Sequence, residues 1–168
     1  QLALKKLGSK RSKQRISQMF SFEISPDYVE EVRSAANSLG YPMLEEYDFH
    51  NDKSMSEFAL PIRLRPRAQI RDYQEKALSK MFGNGRARSG IIVLPCGAGK
   101  TLVGITAMTT LGLSCLIVVS TGVAAQQWKE QVKLWTTLPE EYIYTFISGS
   151  KWQFTTKPKI IIATYSML

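Results

Sequence analysis

The sequence predicts an α/β fold built on a parallel sheet, and three observations predict it. Short apolar runs without polar alternation recur at residues 91–94, 115–119 and 159–163, the pattern of strands covered on both faces. Helical patterns stand between them, at 102–111 and 123–135. A glycine-rich turn at residues 97–101 joins the first run to the first of those helices. Strands alternating with helices in this way pair in parallel.

The elements follow in order. Residues 1–20 hold six Lys/Arg and no acid, so residues 1–19 read as a solvated, disordered basic arm. Phe20, Phe22 and Ile24 alternate as a short strand does. Ser25-Pro26-Asp27 is a helix start, with an N-cap hydroxyl, a proline at the first helical position and an acid in the first turn. Val29, Val32, Ala36 and Leu39 give that helix one apolar face, and Gly40 stops it. Residues 41–67 contain Pro42, Pro61 and Pro66 and read as an extended connection, so residues 20–67 form an upstream segment and 68–168 the main domain. Ile70, Tyr73, Ala77, Leu78 and Met81 recur at helical spacing over 70–82, and Gly83-Asn84-Gly85 ends that helix. Residues 142–147 are a further strand candidate.

Composition bounds the function. With 168 residues, 44% of them apolar, the chain has enough apolar material for a packed core of ordinary domain size. No run approaches the roughly 18 to 20 apolar residues that span a bilayer, and no apolar signal core follows the basic start, so neither a membrane span nor a secretory leader is expected. Cys96 and Cys115 each lie in or beside an apolar run, which favours buried reduced thiols. The net charge of +8 is unevenly spread, with nine acids against two bases over 21–60 and eight bases against two acids over 61–90. That pattern excludes one uniform nucleic-acid surface.

The sharpest motif is Leu94-Pro95-Cys96-Gly97-Ala98-Gly99-Lys100-Thr101. A triphosphate needs backbone N–H groups aimed at it, a helix N-terminus behind it and a cation beside it. Gly97 and Gly99 let the backbone approach without a Cβ in the way. Lys100 reaches the β and γ phosphates, and the Thr101 hydroxyl offers one ligand to Mg²⁺. Leu94 stands where the strict phosphate-loop pattern has its first glycine, which argues against a small kinase or GTPase. The single histidine, His50, lies far off in an acidic stretch, so neither Cys-His catalysis nor a metal cluster is indicated.

The blocks Arg71-Asp72-Tyr73-Gln74-Glu75-Lys76-Ala77-Leu78, Met81-Phe82-Gly83-Asn84-Gly85-Arg86-Ala87-Arg88-Ser89-Gly90 and the loop itself closely resemble the XPB-type superfamily-2 DNA helicases, the ATPase subunits of the transcription and repair factor TFIIH. Tyr41-Pro42-Met43-Leu44-Glu45-Glu46-Tyr47-Asp48-Phe49 upstream, and Gln127-Trp128-Lys129 and Thr164-Tyr165-Ser166-Met167-Leu168 downstream, extend the resemblance over residues 20–168. It implies a RecA-like P-loop lobe that binds ATP and Mg²⁺, acts on DNA with other TFIIH subunits, and works in the nucleus in promoter opening and nucleotide excision repair. By the same resemblance Gln74, with Arg71, reads the adenine edge. The resemblance also implies that Thr121, Gly122 and Gln127 lie in a loop that touches one DNA strand and that Thr164 and Ser166 hydrogen-bond backbone phosphates; Trp128 itself reads as packing against the sheet.

Hydrolysis also needs a carboxylate for Mg²⁺ and an arginine for the transition state. Neither 116–119 nor 160–163 leads into Asp or Glu, and the resemblance implies that both groups lie beyond this chain. The expectation is a lobe cut before its acidic motif and inactive in hydrolysis by itself. The alternative is a catalytically silent nucleotide- or partner-binding module.

Overall fold

The computed structural model describes residues 22–151 and 157–168. They fall into two compact units, one ending at Met43 and the other spanning Leu44–Leu168. The basic arm expected at 1–19 lies outside the described residues, as does Phe20 of the first predicted strand.

In the first unit the chain enters a helical turn at Pro26–Tyr28, and α1 (Val29–Ser38) follows. The Tyr28 N–H donates to the Ser25 carbonyl at 3.0 Å, so the predicted start is where the chain first coils. The Gly40 and Tyr41 N–H groups donate back to the Asn37 and Ala36 carbonyls at 3.0 Å each, closing the helix. No strand forms at 22–24, and Phe22 is exposed. Alternation alone cannot make a strand that has no neighbour to pair with.

The second unit begins with a two-stranded antiparallel ladder. β1 (Glu46–Tyr47) pairs with β2 (Ala87–Arg88), and the Arg88 guanidinium grips the Glu46 carboxylate through Nε at 2.8 Å and Nη2 at 2.6 Å. α2 (Asp72–Met81) and α3 (Lys100–Leu111) flank β2 in sequence. β3 (Cys115–Val119), α4 (Gly122–Trp135), β4 (Ile143–Phe146) and β5 (Ile160–Thr164) complete the unit. The three longer strands form a parallel sheet in the order β3-β5-β4. α4 is therefore the crossover that leaves room for β5 to enter between its neighbours. Ile105 of α3, Val132 of α4, and Ile160 and Ile162 of β5 are fully buried. Each such side chain contributes about 1.5–3 kcal/mol relative to exposure.

Residues 59–64 are extended, as the prolines predict, but they are part of this core. Leu60 and Ile62 are buried, Leu64 packs beside them, and Arg63 and Arg65 face outward. The Leu60 N–H donates to the Gly112 carbonyl, and the Arg65 N–H to the Trp135 carbonyl, both at 2.8 Å.

Three expectations need correction. Residues 91–94 form no strand, because no ladder among the described residues offers their backbone a partner; Ile91 and Val93 are 92% and 86% exposed. A hydrophobic run by itself fixes neither burial nor pairing, since both depend on what packs beside it. The sheet is also not fully covered, since Leu116 in β3 is half exposed. Finally, Cys96 is exposed, because the run before it does not pack.

Candidate nucleotide and nucleic-acid site

The glycine-rich turn leads directly into α3, whose first residue is Lys100 and whose N-cap is Gly99. Gly97 and Gly99 both adopt the left-handed region, with φ of +76° and +77°, where an L side chain is strained. A Cβ at Gly97 would point into open space, whereas one at Gly99 would stand 2.5 Å from Nε2 of Gln74. The Lys100 ammonium lies over the loop and donates to the carbonyls of Leu94 (3.0 Å) and Pro95 (3.1 Å). Thr101 follows in the first turn, half-buried.

The loop is tied to α2. Gln74, only 3% exposed, accepts the Arg71 N–H on Oε1 at 2.9 Å and donates from Nε2 to the Ala98 carbonyl at 2.9 Å. Its amide, which the resemblance directs at an adenine edge, is here engaged with the loop backbone at one end and with Arg71 at the other. Tyr73, which sequence reasoning passed over as one apolar position of a helix, donates its hydroxyl to the same Ala98 carbonyl at 3.1 Å. Arg71 in turn donates from Nη1 to the Tyr73 hydroxyl at 3.2 Å.

The residues predicted to meet nucleic acid divide into two groups. β3 and β5 run in parallel with Val119 opposite Thr164, so the segments that follow them emerge at one edge of the sheet. Thr121 caps α4 there, its Oγ1 accepting the Ala124 N–H at 3.1 Å, and Gly122 opens the helix. Thr164 ends β5 and Ser166 follows it, with their hydroxyl oxygens 3.1 Å apart. Gln127 does not join them, since it lies exposed more than a turn along α4. Trp128 packs against the core, with its ring close to α3, where a Cβ on Gly104 would meet it at 2.8 Å.

First-turn charge separates the helices into two pairs. α1 and α2 carry acids in their first turns, Glu30 and Glu31 in one and Asp72 and Glu75 in the other. α3 and α4 carry none. No acidic side chain in their first turns offsets the positive helix ends. These are the two helices behind the phosphate loop and the predicted DNA edge.

The family described as type III restriction enzyme, res subunit, matches residues 67–168. The chain belongs to this family. It is also 53% identical over 150 residues to the general transcription and DNA repair factor IIH helicase/translocase subunit XPB2 of Arabidopsis thaliana, covering 88% of this chain and 19% of that protein. The XPB/SSL2 subunit of Saccharomyces cerevisiae is 51% identical over 153 residues, covering 91% of this chain and 18% of that protein. The XPB subunit of Dictyostelium discoideum is 53% identical over 148 residues, covering 88% and 18%. The resemblance read from residues 71–100 is thus borne out, and the three-stranded parallel sheet with its helices is part of the family's RecA-like lobe. The chain spans about a fifth of the length of these relatives. Among the described residues no helix is long and apolar enough to cross a membrane.

The two thiols of this family member lie in different settings. Burial pushes the Cys115 thiol up to about 11, while Cys96 is exposed in the loop. A thiol reagent near neutral pH is expected to label Cys96 in the folded chain and Cys115 only after denaturation, read by mass spectrometry of the peptides. Fast labelling of both would contradict the packing of β3.

Proposed function

We propose that this chain is the ATP-binding portion of an ATP-dependent DNA translocase of the XPB type. The whole protein then opens promoter DNA and damaged DNA within TFIIH in the nucleus. The observation that carries the reading is the loop at 97–101, whose two glycines at positive φ lead into an acid-free helix start headed by Lys100.

These residues fit the phosphates of a nucleotide. The left-handed Gly97 leaves open the space that a Cβ would fill. The first-turn N–H groups of α3 have no intrahelical acceptors and suit an anion. Lys100 exchanges its two carbonyl acceptors for phosphate oxygens, a stronger charge-assisted contact. The Thr101 hydroxyl would offer one ligand to Mg²⁺ brought in with the nucleotide. β3 leads into Ser120 and β5 ends at Thr164, so neither of these strands ends in the carboxylate that hydrolysis requires. Among the described residues no group of three or more His, Cys, Asp or Glu stands ready to hold a metal. When bound, Mg·ATP supplies the free energy of phosphoryl transfer. The chain's own residues bind and orient it.

For DNA, Thr121, Gly122, Thr164 and Ser166 form a compact edge of hydroxyls and helix N–H groups suited to backbone phosphates without base readout. The experiment is a titration of the full chain with fluorescent Mg·ATP and a single-stranded oligonucleotide, with phosphate release followed alongside. The expected result is nucleotide binding without steady-state turnover. DNA binding should weaken as salt is raised, because the chain carries a net charge of +8. Sustained phosphate release would overturn the view that the catalytic acid is supplied from elsewhere.

A further inference from the structure

We infer that Tyr73 is a positioning residue for the phosphate loop, its hydroxyl fixing the Ala98–Gly99 peptide so that the Gly99 N–H faces the triphosphate. The inference rests on the nucleotide reading above and adds a residue to it. Tyr73 Oη lies 3.1 Å from the Ala98 carbonyl oxygen and 3.2 Å from Arg71 Nη1. A guanidinium donates and never accepts. The hydroxyl therefore receives Arg71 on its lone pair and has one proton to give, and that proton goes to Ala98. Donation from a charged group polarises the hydroxyl and strengthens its own donation. Gln74 Nε2 gives the same carbonyl its second hydrogen bond at 2.9 Å. Both acceptor positions of Ala98 are then filled from α2.

The consequence follows from peptide geometry. The peptide is trans and planar, so its C=O and N–H point in opposite directions. Holding the Ala98 carbonyl against α2 turns the Gly99 N–H away from α2. Gly99 is the N-cap of α3, where an N–H without an intrahelical acceptor is part of an anion cradle. In the free chain nothing else in the loop performs this task. Lys100 engages the carbonyls of Pro95 and Leu94, three and four peptide groups further back. A glycine at φ +77° has no side chain of its own to resist a peptide flip. Tyr73 and Gln74 supply that resistance from outside.

The test is Tyr73→Phe in the full chain, which keeps the ring and deletes the hydroxyl. Binding of Mg·ATP and of inorganic tripolyphosphate is measured by calorimetry, and unfolding of the ligand-free chain by circular dichroism. Both ligands are expected to weaken by the same factor, about five-fold, the worth of one hydrogen bond. The ligand-free melting temperature should not change, because Tyr73 is more than a third exposed. Three results would overturn the inference: unchanged affinity for both ligands, a weakened ATP with unchanged tripolyphosphate, or a fall in melting temperature that accounts for the lost binding. If the unsubstituted chain binds neither ligand, the nucleotide reading itself falls. If it binds both and Tyr73→Phe binds them equally well, only the role of Tyr73 falls.

Discussion

Lys100→Ala is expected to remove measurable ATP binding while leaving the ligand-free chain folded. The side chain is exposed and its two hydrogen bonds go to loop carbonyls, not to the core. Its deletion therefore costs little in folding. On the proposed nucleotide reading the same ammonium would meet phosphate oxygens at the head of α3. Charge-assisted hydrogen bonds contribute about 1.5–3 kcal/mol each, so losing one or two lowers affinity by a factor on the order of a hundred or more. Lys100→Arg should recover part of the charge but not the fit, since the planar fork is wider than a compact ammonium. Titration of fluorescent Mg·ATP reads both variants. An affinity for the alanine variant equal to that of the original chain would remove the loop from the candidate site.

The second large effect is expected at Gly99. Gly99→Ala places a Cβ at φ +77° and 2.5 Å from the Gln74 amide nitrogen. The left-handed conformation costs about 1–2 kcal/mol for an L residue. The clash adds to it, because Gln74 is buried and held at both ends of its amide. Gly97→Ala has the same backbone problem but open space around its Cβ. Gly99→Ala should therefore lower ligand-free stability by more than Gly97→Ala, by about 1 kcal/mol or more, with nucleotide affinity falling as the loop shifts. The double variant Gly99→Ala/Gln74→Ala separates the causes. Removing the amide relieves the clash and leaves the strain, so the double variant should be more stable than the sum of the single losses predicts. Strict additivity in urea unfolding would show that the two residues are not coupled.

These contrasts mark what was legible in advance. The helices at 102–111 and 123–135 were read to within two residues of α3 and α4, because their apolar spacing and glycine boundaries act locally. The same holds for β3 and β5, whose runs are rich in branched apolar residues. The phosphate loop was legible because its chemistry demands small residues in sequence. Residues 91–94 show the limit. Their composition matches that of β3, yet they lie unpaired beside a cleft of about 540 Å³ lined by Tyr73, Ala77, Ile92 and Leu94. Cys96 followed them to the surface. Residues 59–64 erred the other way: the prolines suggested a connection, but Leu60, Ile62 and Leu64 alternate with outward Pro61, Arg63 and Arg65 and join the core. That period of two was available and outweighed the prolines.

The sequence by itself carried the glycine-rich turn before a helix and the blocks that place the chain among its helicase relatives. These depend on neighbours along the chain, whose separation the covalent geometry sets. Only the tertiary structure decided the partners. It gave Gln74 and Tyr73 one carbonyl to share across more than twenty residues. It brought Thr121 and Thr164 to one edge through a parallel register, turned Trp128 onto Gly104, and left 91–94 without a strand beside it. Such contacts depend on which surfaces meet when apolar area is buried, and residue spacing along one segment carries no record of that choice.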